Sequence, residues 1–249
     1  MQTPLHNDIP TDSCTIEINT SDIYTSIQRS INRLFDKQPV TVKETQNKNQ
    51  DAIVLKRNGE FITSSTTKEL MRSIFLVNSD IYITGTRDLT DSDLPDVLAA
   101  LHDIPFRLRG YPESNTEKML LIAVSRDIEK QAYNIGEGTL HVGFQKLSRL
   151  TEEKGTLQVY EQLSKTDIDI HAYGNGDSNI PEAISVTPHI GDSWYHNRYW
   201  FVIYTPNNAT DDPIALYTIE REPNRWCGFW TYKSDRIHSL KTHIKKKMM

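Results

Sequence analysis

Arg198-Tyr199-Trp200-Phe201-Val202-Ile203-Tyr204, Ile214-Ala215-Leu216-Tyr217-Thr218-Ile219-Glu220 and Trp226-Cys227-Gly228-Phe229-Trp230-Thr231-Tyr232 are three runs of β-branched and aromatic residues. Their reading decides the fold. Such side chains favour the pleated, half-buried surface of a sheet. Pro206-Asn207-Asn208 between the first two runs is turn chemistry. Connections this short favour antiparallel pairing over crossovers through helices.

Working outward, Ile168–Tyr173 and Ile184–Thr187 read as two further strands, with Gly174-Asn175-Gly176-Asp177 as a turn between them. Ser234 or Asp235 caps a final helix reaching to about Lys247. Upstream the period changes. Leu120, Val124 and Ile128, widened by Leu121 and Ala132, mark one amphipathic helix. Gly136 and Gly138 interrupt it. Leu140, Phe144, Leu147 and Leu150, continued by Leu157, Tyr160 and Leu163, suggest a second helix. The expected helix pair covers about 116–134 and 139–164 and packs on the sheet.

The first third reads as a smaller α/β part. Ile23, Ile27, Ile31 and Leu34 share a helix face, and Pro39–Lys43 and Ala52–Leu55 are strand-like. Asn58-Gly59 before Phe61–Thr63 is a hairpin signal. Thr66 or Thr67 opens a helix to about Phe75, Asp80–Gly85 suggests a strand, and Ser92–Leu101 a helix with Pro95 in its first turn. Pro105–Tyr111 is expected to be extended. The expected fold class is therefore α/β in the α+β sense, a mixed, largely antiparallel sheet covered by helices with a long central helix pair. A flexible tail at 1–19, an α/β part at 20–112 and a helix-and-sheet part at 113–249 are expected, with 20–245 as one domain.

Hydrophobic residues at 37% and charged residues at 24% place the chain among ordinary globular proteins rather than disordered ones. A formal net charge of −5 argues against broad nucleic-acid binding, which needs phosphate neutralisation. A helix-turn-helix with a basic recognition helix is not legible either. Cys14 and Cys227 are far apart and imply no disulfide framework. The first residues lack the basic and apolar regions of a secretory signal, and no apolar run suits a membrane span. A cytoplasmic protein without a membrane partner is the expectation.

Motifs of catalysis are weak. Gly191-Asp192-Ser193 resembles the nucleophile block of GDSL esterases but stands mid-chain before Trp194-Tyr195-His196, and reads as a turn. Gly136-Glu137-Gly138 with Gly143 lacks dinucleotide-fingerprint spacing. Asp167, Asp169 and His171 alternate on one strand face, where they can ligate a metal or simply form a polar face; the second reading is taken. Lys233, Arg236, Lys241, Lys245, Lys246 and Lys247 make the last helix basic, which suits its C-terminus. No cofactor is identifiable.

Specific residues do recur in a recognisable order. Arg126-Asp127-Ile128-Glu129 leads into Gly138-Thr139-Leu140-His141-Val142-Gly143-Phe144-Gln145-Lys146-Leu147. Tyr160-Glu161-Gln162-Leu163, Ile168-Asp169-Ile170-His171-Ala172-Tyr173-Gly174, Trp200-Phe201-Val202-Ile203, Thr218-Ile219-Glu220-Arg221-Glu222 and Gly228-Phe229-Trp230-Thr231-Tyr232 follow. In this order they resemble the DICT sensory domain family, most strongly over 115–243 and more weakly back to about residue 20. The resemblance implies signal sensing beside diguanylate cyclase and two-component modules, or as stand-alone archaeal-type proteins, with no catalytic residues. No kinase, cyclase or receiver segment is legible here, so a partner is expected: a kinase, cyclase or transcription regulator.

The side chains expected to bind a small ligand are His141, Phe144, Gln145, His171, Trp200, Glu220, Phe229 and Trp230. Aromatic rings supply the apolar wall and the polar groups its orientation, the usual composition of such sites. A ligand-free scaffold or homodimerisation module is the alternative, with the helix pair as its surface. An enzyme using Asp169 and His171 is the weaker one.

Overall fold

Strand β1 (Cys14–Asn19) lies inside a four-stranded sheet, parallel to β2 (Val40–Thr45) and antiparallel to β3 (Ala52–Arg57). The computed structural model describes residues 13–19, 25–36, 38–45, 52–75, 89, 93–110, 113–114, 117–176 and 180–249. Helix α1 (Thr25–Phe35) makes the crossover from β1 to β2. Residues 14–19 were expected in a flexible tail. Cys14, Ile16 and Ile18 instead alternate into the core and are almost fully buried. That alternation, with Thr15 and Glu17 between them, is the strand signal.

Asn58 and Gly59 both take positive φ, 53° and 86°, as the two-residue turn into β4 (Glu60–Ser65) requires. Thr66 then caps α2 (Thr67–Leu70). Its hydroxyl accepts from the Glu69 amide at 3.1 Å, and the Glu69 carboxylate accepts from the Thr66 amide at 2.7 Å. A π-helical turn, Met71–Phe75, continues it. The helix expected over Ser92–Leu101 is one short turn, α3 (Asp96–Ala99), with Pro95 as the residue before it rather than inside it. Extended ψ of 139° at Pro95 delays the turn to Asp96, four residues after the expected start. The expected strand at Asp80–Gly85 lies outside the described residues.

The second sheet has seven strands in the order β5-β11-β10-β9-β6-β7-β8. Their ranges are β5 (Phe106–Arg109), β6 (Glu137–Lys146), β7 (Asp167–Asn175), β8 (Thr187–Ile190), β9 (Tyr199–Thr205), β10 (Ile214–Glu222) and β11 (Arg225–Thr231). The strands from β5 to β6 pair antiparallel, and β6, β7 and β8 are parallel. This is the mixed, mostly antiparallel α+β architecture expected. The strand expected at Ile184–Thr187 begins instead at Thr187, which pairs with His171 of β7, and runs to Ile190, which pairs with Gly174.

The main correction concerns residues 139–146. They form β6, the strand between the antiparallel and parallel parts of the sheet, and not the start of a helix. Leu140 and Phe144 are four apart, which suits a helix stripe and equally an even strand face. The arbiters are Val142, buried on the same face as Leu140, and Gly138, whose φ of 123° no helix permits. The helix pair that does pack here is α4 (Glu117–Ile135) and α6 (Lys154–Leu163), with the short α5 (Arg149–Glu152) before α6. Gly136, at φ 78°, ends α4 and donates its amide to the Ala132 carbonyl at 2.8 Å.

Helix α4 crosses one face of this sheet over β9 and β10. Leu140, Val142, Val202, Tyr204, Leu216 and Trp230 point to it, in a cluster that continues through Ile104 and Leu98 to Ile16 and Ile53 of the first sheet. The opposite face carries Phe201, Ile203, Tyr217, Ile219 and Phe229. It is covered by Ile237, Leu240 and Ile244 of α8 (Ser234–Met248). The short α7 (Trp194–Arg198) leads into β9. Each of these buried aliphatic or aromatic side chains contributes about 1.5–3 kcal/mol by leaving water.

The basic last helix is also pinned at its start. Arg236 and Lys233 reach the two oxygens of buried Asp103 at 3.2 and 3.3 Å, and the guanidinium of Arg236 lies 3.5 Å over the Phe229 ring.

Candidate functional site

Strand register sorts the eight expected ligand residues before any side chain is considered. Phe144 pairs with Trp200 and Trp200 with Thr218, which puts Phe144, Trp200 and Glu220 on the α4 side. His141 pairs with His171 and Ile203, on the α8 side. The reading of His141, Phe144 and Gln145 as neighbours within one helical turn is therefore corrected. A strand sends His141 and Phe144 to opposite faces.

Gln145 is the junction. Pairing of β6 with β7 breaks register between Gly143 and Lys146, and Gln145 within that break takes φ 63°. A positive φ at a non-glycine residue outside a turn is uncommon. Buried Gln145 donates from Nε2 to Oε2 of Glu220 at 2.8 Å, and Arg149 donates to its Oε1 at 3.4 Å. The other Glu220 oxygen accepts from the Asn224 amide at 2.7 Å. Glu220 pairs with Trp226 across the β10–β11 ladder, just before a register shift.

Lys118, at the start of α4, closes this group. Its ammonium lies 5.6 Å from the Trp200 ring centroid and 5.5 Å from that of Trp226. Burial pulls the Lys118 pKa down, and the nearby Arg149 adds to that; Glu153 and Glu220 oppose it. The Trp226 ring is 4% exposed, and its indole N–H has no acceptor among the described residues. Lys118, Phe144, Gln145, Arg149, Trp200, Glu220 and Trp226 thus form one aromatic and polar cluster at the end of the sheet.

Behind it runs a buried ionic network. The Phe144 ring meets Tyr160 edge-on at 5.4 Å, and the Tyr160 hydroxyl donates to Glu129 at 2.8 Å. Glu129 also pairs with Arg126, which donates to Thr156 at 2.9 Å. Burial and the adjacent Glu129 push the Tyr160 pKa up, so its phenol stays protonated.

On the α8 side a second group gathers. The rings of His141 and His171 stack at 4.7 Å, and those of Tyr173 and His189 at 4.3 Å. His171 bonds to Asp169 through Nε2 and to His189 through Nδ1, both at 3.0 Å, and His141 Nδ1 lies 3.1 Å from the Tyr173 hydroxyl. Burial, with His171, Lys241 and Lys245 nearby, holds the His141 pKa down to about 3. No set of three or more His, Cys, Asp or Glu side chains fit to hold a metal ion occurs among the described residues.

Phe229 and Trp230 join neither group. Phe229 lies under Arg236, and Trp230 packs on Phe106 at 5.6 Å with its N–H on the Ala99 carbonyl at 3.3 Å. They are core residues. Lys118, Arg149 and His189 were missed. Nothing in their local sequence distinguishes them, because each is brought in by a different element. Ser193 of the Gly-Asp-Ser block caps α7, its hydroxyl 2.8 Å from Nδ1 of His196.

Residues 96–213 match the model of the DICT family, described as a sensory domain in diguanylate cyclases and two-component systems. No curated protein matches the chain. Among solved structures, the crystal structure of polyphosphate kinase from Porphyromonas gingivalis is similar at 9% identity with a TM-score of 0.36, covering 94% of this chain and 40% of that one. No helix of the described residues is long and apolar enough to cross a membrane.

Proposed function

We propose that this chain, which carries a DICT sensory domain over residues 96–213, is a non-enzymatic cytoplasmic regulator that binds a small ligand at the Gln145 cluster. It passes the change by contact to a signalling protein, a kinase, cyclase or transcription regulator. The family is a sensory one, which supports the role in signal transduction.

One observation carries the ligand reading. Gln145 stands at φ 63° where β6 leaves its pairing with β7, and it is tied to Glu220 of β10. Uncommon backbone held by a buried polar contact stores strain, and such strain clusters at ligand clamps and switch regions. A ligand shifts an equilibrium between two arrangements only by binding them unequally. A contact to Gln145 or Glu220 does that, because it competes with the bond between them.

The scaffold alternative needs a broad apolar surface on the helix pair. The exposed large apolar residues among those described are Phe61, Ile62, Ile190, Trp194 and Met249, and none lies on α4 or α6. The ligand reading is therefore preferred.

Native mass spectrometry of gently purified protein tests it. A stoichiometric added mass, lost in Gln145→Ala and Glu220→Ala, is expected. A clean mass for the unaltered protein, together with partner affinity that stays constant across candidate ligands, counts against sensing.

A further inference from the structure

We infer that the cluster of Lys118, Arg149 and Trp226 takes a small anion, a carboxylate or a phosphate, whose oxygens accept from donors the chain leaves unmatched. This rests on the ligand-binding reading of the same cluster and adds the chemical class.

Donors and acceptors here do not balance. The acceptors are engaged by neutral groups: Glu220 takes the Gln145 amide at 2.8 Å and the Asn224 backbone amide at 2.7 Å, and Glu153 takes the Thr156 hydroxyl at 3.0 Å. Among the described residues, neither Lys118 nor Arg149 has a carboxylate within ion-pair distance. Among the described residues, the Arg149 side chain donates one hydrogen bond, the 3.4 Å contact to Gln145, and the Lys118 ammonium faces the Trp200 and Trp226 rings, with Glu153 and Glu220 acting on it from beyond ion-pair distance. The Trp226 N–H is buried without an acceptor.

These donors are also close together. The Lys118 ammonium spans Trp200 on β9 and Trp226 on β11, above β10, whose Glu220 is bonded to the same Gln145 that Arg149 touches. The Trp200 and Trp226 rings border the half-buried Lys118 ammonium and shield it in part from water. Charge-assisted hydrogen bonds are strongest in such surroundings. A neutral apolar ligand leaves the two cations and the indole N–H unsatisfied. An anion satisfies them together. A guanidinium fork suits both carboxylate and phosphate, so the geometry sets the class and not the member.

Tryptophan emission of the full chain, titrated with inorganic phosphate and separately with citrate at constant ionic strength, tests this. Trp200 and Trp226 border the cluster and report occupancy. A saturable change with at least one anion is expected. Its dissociation constant should weaken about tenfold in Lys118→Gln and in Arg149→Gln, the loss of one charge-assisted bond. Circular dichroism establishes that each variant is folded, and raising chloride with the unaltered chain should weaken binding without any substitution. Response to phosphate alone or citrate alone tells the two sources apart. No saturable change with either anion, or equal affinity in the folded variants, overturns the inference. A neutral co-purifying ligand lost in Gln145→Ala also overturns it, while leaving ligand sensing intact.

Discussion

The side-chain amide of Gln145 donates to Glu220 across 2.8 Å, joining the end of β6 to β10 over the intervening strand β9. Glu220→Ala removes the acceptor for both Gln145 and the Asn224 amide. A loss of about 1–3 kcal/mol in urea unfolding is expected, the cost of leaving polar groups unmatched. Gln145→Gly should cost less, because glycine relieves the positive φ while the bond is lost. A Gln145→Gly protein less stable than Glu220→Ala would show that the positive φ costs the native chain little, since both variants lose the same bond.

Glu129 holds Arg126 and Tyr160 together inside the helix pair. Glu129→Ala leaves a buried guanidinium without its carboxylate and should destabilise the protein by about 3–5 kcal/mol. Tyr160→Phe removes one hydrogen bond to a charged group and should cost about 1.5–3 kcal/mol. Denaturant midpoints of the two variants check the order.

Stability should fall with acid in a defined window. His141 has its pKa held down to about 3 by burial, so the folded chain refuses a proton that the unfolded chain accepts below about 6.5. The unfolded state then binds more protons, and stability drops by up to about 1.4 kcal/mol per pH unit as pH falls from about 6.5 towards 3. Buried His196 and half-buried His189 and His243 shift in the same direction and add to the slope. Unfolding free energies at pH 7.5, 6 and 5 should show a decline that His141→Asn makes shallower; an unchanged slope would assign the effect to the other histidines.

Gly138 takes φ 123°, and a Cβ there would sit 2.5 Å from the Thr205 carbonyl oxygen and 2.9 Å from the Pro206 Cα. Both neighbours are backbone and cannot swing aside. Gly138→Ala should therefore cost at least about 2 kcal/mol, combining a conformation that L side chains avoid with a forced shift of the β9 end. Thermal unfolding of the variant measures it.

Much of the fold is legible because its signals are local. Asn58-Gly59 dictates its hairpin, Leu120, Val124 and Ile128 their helix, and the runs at 198–204, 214–220 and 226–232 the strands that form at 199–205, 214–222 and 225–231. The stretch at 139–146 is not legible in the same way. A spacing of four between Leu140 and Phe144 fits either period, and only pairing with β7 and β9 decides between them.

The candidate site was half legible for the same reason. Phe144, Gln145, Trp200 and Glu220 could be named as aromatic and polar residues of the right type, but not as neighbours. Their proximity comes from strand register, which also sends His141 and His171 to the opposite face and leaves Phe229 and Trp230 in the core. Lys118 and Arg149 carry no local signal, since their meaning is only what stands across from them.

What the sequence by itself determined, then, is the family resemblance, the α+β class and most element positions, all consequences of side-chain periodicity and turn chemistry within a few residues. Only the tertiary structure decided which face each residue serves and which charges lack partners. Those depend on contacts between residues far apart in the chain, as between Lys118 and Trp226, and no local pattern encodes them.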